Sequence, residues 1–403
     1  MGKIAFFHPD LGIGGAERLI VDAALALKNA GHSVTIFTSH HDHSHCFEET
    51  KTLLNVAVYG DWLPCSLFGR CKALFAYLRM IFLTFYFYFY HKDDYDIAIC
   101  DIIPVAIIIL KKITQKKCIF YCHFPDQLLT KKDSLIKKIY RLPIDYIERW
   151  GISNSDVILV NSQFTKEVFF RTFDSMNIET QVLYPTVNFS IFDKKVTGNL
   201  DIALGKNAET SFLSINRYER KKNINLAIES LKELYNANGL DESDRCKIHL
   251  IIAGGYDHLN KENIEHYLEL KELARDLGLE KNVTFLKSPS DEQKQLLLHN
   301  CTAIIYTPEN EHFGIVPLEA MYMRRPVIAT NTGGPKETVT HGETGFLCSP
   351  NVIEFSNAMN KFVGDKSLSR ELGAKGREQV VKKFNFKIFQ SQLNKIVNDL
   401  LIQ

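Results

Sequence analysis

The feature that most constrains the fold is an alternation of short apolar runs with helix-like segments, which the chain repeats twice. The apolar runs are those of strands buried on both faces, and the segments between them carry apolar residues at helical spacing. Such alternation predicts parallel sheets covered by helices, and therefore an α/β fold. In the first half the predicted strands are 4–8, 34–38, 96–100, 118–122 and 157–160.

One interruption divides the chain. Over 185–206 the pattern dissolves into polar and turn residues, which indicates a linker, and the alternation then resumes with predicted strands at 212–215, 248–253, 283–286, 303–306, 327–329 and 345–348. Two doubly wound units predict a central ligand cleft at the carboxyl ends of their strands. We predict a first Rossmann-like domain over 1–184, a linker over 185–206, a second domain over 207–385 and a C-terminal helix over 386–403.

Charge and cysteine content exclude some classes of protein. The 403 residues include 48 Lys and Arg and 47 Asp and Glu, so the net charge is +1 and no broad positive surface is available for nucleic acid. The nine cysteines are scattered, with no CxxC pair, which predicts free thiols in a reducing compartment.

The segment 74–90 indicates contact with a membrane. It is apolar and rich in aromatic residues, but it contains Arg79 and is shorter than the ~20 residues that a spanning helix needs. We interpret it as a helix that lies in the membrane interface or lines a lipid groove, with a buried core helix and a true span as alternatives. The shorter apolar run 102–110 is predicted to be core.

Two features of the first half are candidates for ligand binding. The loop GIGGAE, with Gly14 and Gly15, follows the first strand and opens a helix, where backbone amides favour a polar or anionic ligand. A tight turn without a ligand is the alternative. His123 ends the strand 118–122, where it could contact a sugar hydroxyl or a phosphate, although a purely structural histidine is equally compatible.

Two basic side chains follow the strand 212–215. Arg217 and Lys222 lie in the run SINRYERKKN, where a guanidinium and an ammonium group could stabilise a diphosphate leaving group without a metal. A solvated basic loop is the alternative, because Arg220 and Lys221 add further charge.

Two carboxylates, Glu311 and Glu319, frame the run EHFGIVPLE. The first follows a predicted strand and the second lies on the helix that comes next, near the amides of Phe313, Gly314 and Ile315. Such a pair could hold sugar and ribose hydroxyls, although Glu319 alone could be a surface residue.

The run 40–46 is rich in histidine, but its potential ligands are sequential rather than at the spacing of a metal motif, so we predict a solvated loop. We predict no required cofactor. A divalent metal ion is compatible with the sequence, but nothing in it indicates one.

The motifs GIGGAE, CHFPD, SINRYERKKN and EHFGIVPLEAMYM, spread over essentially the whole chain, resemble those of glycosyltransferase family 4. Among its members they are most similar to the eukaryotic mannosyltransferases of the dolichol pathway. The resemblance implies a GT-B fold and transfer of mannose from GDP-mannose with retention of the α configuration. The implied acceptor is a mannosyl-chitobiosyl diphosphodolichol, which receives first an α-1,3 and then an α-1,6 mannose.

The resemblance also implies a place and partners. It implies the cytosolic face of the endoplasmic reticulum membrane, with the membrane surface and neighbouring mannosyltransferases of the pathway as candidate partners. It assigns the diphosphate to Arg217 and Lys222, the ribose to Glu319, the donor mannose to Glu311, the reacting sugar to His123, and the lining of the cleft to Gly14 and Gly15.

Three other functions are compatible with parts of the pattern. A transferase of the same fold that uses another sugar nucleotide is the first, because spacing alone does not distinguish guanine from uracil. A catalytically inactive scaffold is disfavoured because Arg217, Lys222, Glu311 and Glu319 are all present. A nicotinamide oxidoreductase is disfavoured because Glu17 replaces the third glycine of the dinucleotide motif.

Overall fold

The structure, a computed structural model, describes residues 1–67, 71–130, 132–174, 178–194, 208–237 and 239–402. The chain forms two compact units. The first consists of Met1–Thr186 with Phe386–Gln403, and the second of Val187–Asn385. Residues 195–206 of the predicted linker lie outside the described residues.

The first unit is built on a seven-stranded parallel sheet with the order β3-β2-β1-β4-β5-β6-β7. The chain reverses its direction of winding at β1, which lies between β2 and β4, so the switch point of the sheet is at the end of β1. The strands are β1 Lys3–His8, β2 Ser33–Thr38, β3 Asn55–Val58, β4 Ile97–Asp101, β5 Lys117–Cys122, β6 Val157–Val160 and β7 Thr180–Val182.

Helices cover this sheet, and side-chain caps define the start of several. Ser162 accepts a hydrogen bond from the N–H of Thr165 at 2.9 Å and so begins α7. The helices of this stretch are α1 Gly15–Asn29, α2 Glu49–Thr52, α3 Lys72–His91, α4 Val105–Thr114, α5 Asp126–Leu129, α6 Leu135–Ser153 and α7 Gln163–Thr172.

The second unit repeats this architecture with a six-stranded parallel sheet of order β10-β9-β8-β11-β12-β13. Its strands are β8 Thr210–Ile215, β9 Ile248–Gly254, β10 Val283–Lys287, β11 Ala303–Tyr306, β12 Val327–Thr330 and β13 Gly345–Cys348. Its helices are α8 Phe189–Phe192, α9 Asn225–Ala237, α10 Glu242–Arg245, α11 Lys261–Asp276, α12 Asp291–Asn300, α13 Ile315–Tyr322, α14 Pro335–Thr338, α15 Val352–Asn360 and α16 Lys366–Lys383, with a 3₁₀ turn at Arg220–Lys222.

The last helix, α17 Phe386–Ile402, returns to the first unit and packs against α1. Its buried residues Phe389, Leu393, Ile396 and Val397 join the core on the α1 side of the sheet. On the other side the core includes residues of α3, α4, α6 and α7. The first unit is therefore a three-layer sandwich whose second helical layer contains α3 and α6.

The segment 74–90 forms the larger part of α3. The inner face of this helix lies in the core through Tyr77, Met80 and Phe87, as the core-helix alternative requires. Arg79 is buried and donates hydrogen bonds to the Ser39 carbonyl at 2.8 Å and to Asp61 at 3.1 Å. The outer face stays exposed, and α3 is long and apolar enough to cross a membrane by composition.

Two smaller predictions are confirmed. The run 102–110 contributes to α4, whose residues Val105, Ile107 and Leu110 are buried in the core. All nine cysteines are free, and the five that the sequence places in strands and helices are buried: Cys100, Cys118, Cys122, Cys301 and Cys348.

Candidate active site

In the first unit, the carboxyl ends of three neighbouring strands bring together two histidines and an aspartate. His8 ends β1, Asp101 ends β4 and His123 follows β5. The Asp101 carboxylate accepts hydrogen bonds from His8 Nδ1 at 2.8 Å and from His123 Nε2 at 2.9 Å. Asn161, which follows β6, donates a hydrogen bond to the His123 carbonyl at 2.9 Å. His123 is thereby held at the edge of the sheet where ligands of such folds bind.

This cluster is charged although it is buried. Burial lowers the pKa of His8, but the Asp101 carboxylate, together with Glu17, outweighs that effect and raises the pKa from 6.5 to about 10. Burial raises the pKa of Asp101, but the charge of His8 and the hydrogen bond from His123 outweigh it and keep the pKa below its ordinary value. His8 is therefore an imidazolium at neutral pH, and it holds Asp101 ionised.

The backbone after Asp101 is strained. Ile102 has a φ of 54°, which is rare for a β-branched residue. The turn is closed by a hydrogen bond from the Ile103 N–H to the Asp101 carbonyl. Strain of this kind persists where surrounding contacts fix the backbone, and the preceding Asp101 is held by two histidines through its carboxylate.

The glycine loop lies directly beside this cluster. Gly14 precedes α1, and a Cβ added to Gly14 would come within 2.2 Å of the Glu17 carboxylate. Glu17 in turn lies 3.9 Å from His8 Nε2, a buried nitrogen without a hydrogen-bond partner among the described residues. A Cβ added to Gly15 would meet nothing within 4 Å, so Gly15 faces open space at the start of the helix. The absence of a Cβ at Gly14 therefore leaves room for the Glu17 carboxylate near His8.

In the second unit, the ends of the adjacent strands β8 and β11 bring Lys222 and Glu311 together. Lys222 Nζ lies 2.6 Å from Glu311 Oε2, and both side chains are largely buried. The Thr307 hydroxyl fixes the backbone beneath them by donating to the Lys222 carbonyl at 2.7 Å. The pair places an ammonium group and a carboxylate together at this edge of the second sheet.

Two glycines support the backbone of Glu311. Gly333, with a φ of 65°, lies so close that an added Cβ would be 2.5 Å from the Glu311 carbonyl oxygen. The N–H of Gly334 donates to the same carbonyl at 2.7 Å. The segment after β12 is therefore packed directly onto the loop that carries Glu311.

The remaining carboxylate lies on α13. Gly314 caps this helix with a φ of 82°, Phe313 before it is buried, and Ile315 at its first position is 37% exposed. Glu319 is on the same helix, and its Oε2 is 2.6 Å from Nζ of Lys294 on α12. Glu319 therefore has a different lysine partner from Glu311.

Arg217 is the most exposed of the predicted site residues that carry a charge. Its side chain is 61% exposed and lies 3.0 Å from Glu219. It can therefore change partner at little cost, because an exposed ion pair contributes only ~0–1 kcal/mol.

Three residues of these sites, His8, Asp101 and Lys294, were not predicted from the sequence. His8 was included in a predicted strand, and Asp101 was excluded because the strand was predicted to end one residue earlier. Polar residues at the carboxyl ends of adjacent parallel strands were the available signal. Lys294 is on a helix distant in sequence from Glu319, and no local pattern connects the two.

The histidine-rich run 40–46 makes local contacts. His40 Nδ1 is 2.8 Å from Asp61, and His41 Nε2 is 2.9 Å from the Thr50 hydroxyl. In the described part of the chain, no group of three or more His, Cys, Asp or Glu residues is placed to hold a metal ion.

Sequence comparison relates the whole chain to one family of enzymes. A model of glycosyltransferase family 4 matches residues 13–190, and a model of glycosyl transferases group 1 matches residues 201–379. The chain is 50% identical over 404 residues to alpha-1,3/1,6-mannosyltransferase ALG2 of Homo sapiens, covering 99% of this chain and 96% of the relative. It is 42% identical over 392 residues to the Saccharomyces cerevisiae protein of the same name, covering 89% and 76% respectively.

Solved structures show the same fold at much lower identity. Sucrose-phosphate synthase from Thermosynechococcus elongatus superposes with a TM-score of 0.81 at 21% identity, over 100% of both chains. Anabaena HepE in complex with UDP and glucose superposes with a TM-score of 0.74 at 19% identity, over 99% of this chain and 100% of the other. Both carry the two-unit α/β architecture described above.

Proposed function

Because this chain belongs to the α-1,3/1,6-mannosyltransferases of glycosyltransferase family 4, we propose that it transfers mannose from GDP-mannose to a diphosphodolichol-linked mannosyl-chitobiose. The proposed reaction adds an α-1,3 and then an α-1,6 mannose with retention of configuration. The observation that carries the proposal is 50% identity over 99% of the chain, with Lys222, Glu311, Glu319 and His123 all present.

In this proposal the second unit binds the donor. Lys222 and Arg217 compensate the diphosphate charge as the leaving group departs, and the Glu311 carboxylate accepts hydrogen bonds from mannose hydroxyls. Glu319 accepts hydrogen bonds from the ribose. The amides of Phe313, Gly314 and Ile315 at the start of α13 add a positive dipole near the phosphates. The 2.6 Å contact between Lys222 and Glu311 supports this assignment, because it holds cation and carboxylate at one place.

The first unit contributes His123 in this proposal. Its Nε2 contacts the ionised Asp101 carboxylate at 2.9 Å and donates to it, which leaves Nδ1 as the ring nitrogen available to a ligand. Asp101 and His8 are positioning residues that fix the orientation of this ring. The retained configuration is attributed to attack on the same face of mannose that the phosphate leaves, with the departing phosphate oxygen accepting the proton of the acceptor hydroxyl. Positioning and charge stabilisation are then the main catalytic effects.

The proposed place of the reaction is the cytosolic face of the endoplasmic reticulum membrane. The lipid tail of the acceptor requires a membrane surface, and the exposed outer face of α3 supports contact with one. Neighbouring mannosyltransferases of the same pathway are proposed partners. No metal ion is assigned a step, because Lys222 and Arg217 can supply the positive charge.

The test is a donor panel. Purified chain is incubated with the phytanyl diphosphate analogue of the acceptor and, separately, with GDP-mannose, GDP-glucose, UDP-glucose and UDP-N-acetylglucosamine, with and without EDTA. Mass spectrometry should detect hexose addition only from GDP-mannose, and EDTA should not abolish it. Transfer from a uridine nucleotide but not from GDP-mannose would show that the proposed donor is wrong.

A matched pair of variants tests the site. Glu311→Gln should abolish the addition, because the neutral amide no longer pairs with Lys222. Glu309→Gln, two residues away and 3.3 Å from the Asn223 amide nitrogen, should retain it. Equal activity of the two variants would contradict the role of Glu311.

A further inference from the structure

Helix α6 differs from an ordinary surface helix: its inner face holds two buried charged residues beside Ile144 and Ile152, and its outer face is largely apolar. Arg141 and Glu148 are each only 2% exposed and face the interior of the unit. Ile136, Leu142 and Tyr146 are 81%, 66% and 67% exposed. An amphipathic helix at a water-facing surface buries its apolar stripe. The exposed apolar stripe of this helix is instead typical of a face that is removed from water by contact with another surface.

The inward charges of α6 are paired. The Arg141 guanidinium lies 2.6 Å from Asp126 and 2.9 Å from Asp145. The Glu148 carboxylate accepts hydrogen bonds from the N–H groups of Asp126 and Gln127 at 2.7 and 3.2 Å. These contacts fix the rotation of the helix about its axis. The outward position of the apolar stripe is therefore determined by the fold.

The outward residues repeat at helical spacing along the length of α6. Those of large apolar type are Leu135, Ile136, Ile139, Leu142, Tyr146 and Trp150. We call this set the α6 stripe. At ~1.5 Å per residue its sixteen positions cover about 24 Å. A stripe of this length suits a helix that lies parallel to a surface rather than across it.

The apolar surface extends beyond α6. Leu128 and Leu129 of α5 are 52% and 59% exposed. The Tyr140 hydroxyl of α6 accepts a hydrogen bond from the Leu74 N–H at 3.0 Å, so the α6 stripe adjoins the start of α3. Among the described residues, the whole second unit exposes five large apolar side chains: Leu259, Leu268, Ile315, Ile353 and Val381.

Charge identifies the occupant of this surface. Helices α3 and α4 contain no Asp or Glu, and the two acidic residues of α6, Asp145 and Glu148, are not exposed. The exposed charged residues of these three helices are basic: Lys72, Lys112, Lys137 and Lys138, with the Arg149 side chain 41% exposed. Lys112 Nζ also lies 4.5 Å from the ring centroid of Trp150. The exposed carboxylate of Asp133, which precedes α6, lies 3.7 Å from Lys137 Nζ, and Asp126 of α5 is paired with Arg141. Apolar and aromatic residues with a fringe of mainly basic side chains are the composition that partitions into an anionic bilayer interface.

We propose that the α6 stripe, with Leu128 and Leu129, docks the first unit onto a lipid bilayer, with its apolar side chains at the boundary of headgroups and acyl chains. This inference rests on the proposed function only in naming the membrane as a partner. Helix α6 then anchors the unit beside α3. The docking holds the switch-point edge near the lipid on which a diphosphate-linked acceptor is carried.

The first test uses vesicle flotation with vesicles of phosphatidylcholine and phosphatidylserine. The triple variant Ile136→Ser, Ile139→Ser, Leu142→Ser should reduce binding by about tenfold or more, because each loses apolar area that enters the interface. The control is Leu259→Ser, Leu268→Ser, Ile353→Ser, three exposed aliphatic residues of the second unit, and it should bind like the unchanged chain. Equal binding of the two triple variants would overturn the proposal.

Transfer to an acceptor in detergent separates this proposal from the proposed function. Both triple variants should keep that activity, which also reports that they are folded. If the unchanged chain floats with vesicles but transfers no mannose, the proposed function fails and the docking surface stands. If light scattering shows a dimer that the α6 variant alone converts to a monomer, the surface is an interface between copies and the proposal is overturned.

A second measurement leaves α6 unchanged. The chain has two tryptophans, Trp62 and Trp150. In the Trp62→Phe variant, emission comes only from Trp150, which should shift to shorter wavelength on addition of the anionic vesicles and be quenched by brominated lipid. The absence of both effects would refute docking through this stripe.

Discussion

At the residue scale, both candidate sites hold their charged side chains in pairs supplied by the chain itself. In the first unit Asp101 lies between His8 and His123, and in the second Lys222 meets Glu311. A buried ion that loses its partner costs several kcal/mol, on the order of 3–5. Single substitutions at these residues should therefore affect the orientation of the remaining partner as well as its charge.

Replacing Lys222 tests whether its ammonium group has a specific role or only adds positive charge to the loop. Lys222→Ala should lower kcat/KM by about 100-fold, because the leaving diphosphate loses a partly buried cation. The neighbouring Lys221, 67% exposed and paired with Glu219, is the control, and Lys221→Ala should remain within about twofold, because an exposed ion pair contributes little. Steady-state kinetics at several GDP-mannose concentrations checks this, and similar losses in both variants would indicate a diffuse effect of charge.

The raised pKa of His8 predicts that the stability of the first unit depends on pH. The folded pKa of about 10 lies above the ordinary value of 6.5, so the contribution of His8 is fully present below pH 6.5 and is lost as pH rises through about 10. The free energy of unfolding should therefore fall over that window, by at most about 1.4 kcal/mol per pH unit from this group. Urea unfolding at several pH values measures it.

The control for this pH dependence removes the imidazolium. In His8→Asn the fall between pH 6.5 and 10 should be smaller than in the unchanged chain. His258→Asn, which removes an exposed histidine, should leave the pH profile unchanged. A pH profile of His8→Asn identical to that of the unchanged chain would rule out a charged His8.

At the element scale, the segment after β12 supports the loop that carries Glu311. Gly333→Ala places a Cβ 2.5 Å from the Glu311 carbonyl oxygen, whereas Gly342→Ala meets nothing within 4 Å. Both glycines have positive φ, 65° and 78°, so both variants carry a similar backbone cost of about 1–2 kcal/mol. Only Gly333→Ala should lose activity, by at least about tenfold, since a small misplacement of a catalytic group is costly. Comparable kcat/KM values for the two variants would count against this support.

The C-terminal helix α17 is part of the core of the first unit. Leu393 is 1% exposed in the cluster that α17 shares with α1, so Leu393→Ala should lower the stability of that unit by about 2–5 kcal/mol. Ile402→Ala, at a residue that is 85% exposed, should change it little. Thermal unfolding monitored by circular dichroism checks this, and an unaffected transition in Leu393→Ala would mean that α17 contributes no stability.

Strands and helices were predictable from the sequence where their hydrophobic patterns were strong. The strands 157–160, 303–306 and 345–348 were predicted with the observed bounds, because their runs are apolar and almost entirely buried. The short strands β3 and β7 were missed, since NVAV and TQV are brief and only partly buried at the edges of the sheet. Helix α6 was also missed, because apolar residues lie on both its outer and its inner face and Pro143 interrupts its pattern.

At the scale of the whole molecule, the presence of two α/β units could be predicted because each half of the chain repeats the same alternation of strands and helices. Both sheets have the same order about a central first strand, and family-level motifs identified Lys222, Glu311, Glu319 and His123. The partners of these residues could not be predicted. Asp101 precedes His123 by twenty-two positions and Lys222 precedes Glu311 by eighty-nine, so only the completed sheets bring them together.

If the chain transfers mannose as proposed, it uses GDP-mannose to convert the monomannosyl acceptor into a branched trimannosyl product. The most direct test is a time course on mannosyl-chitobiosyl phytanyl diphosphate, with mass spectrometry and digestion by linkage-specific α-mannosidases. We expect two successive hexose additions, one removed by an α-1,3-specific and the other by an α-1,6-specific enzyme. The Glu311→Gln variant should form neither product. A product with a single hexose, a β linkage, or unchanged formation by Glu311→Gln would contradict the proposed function.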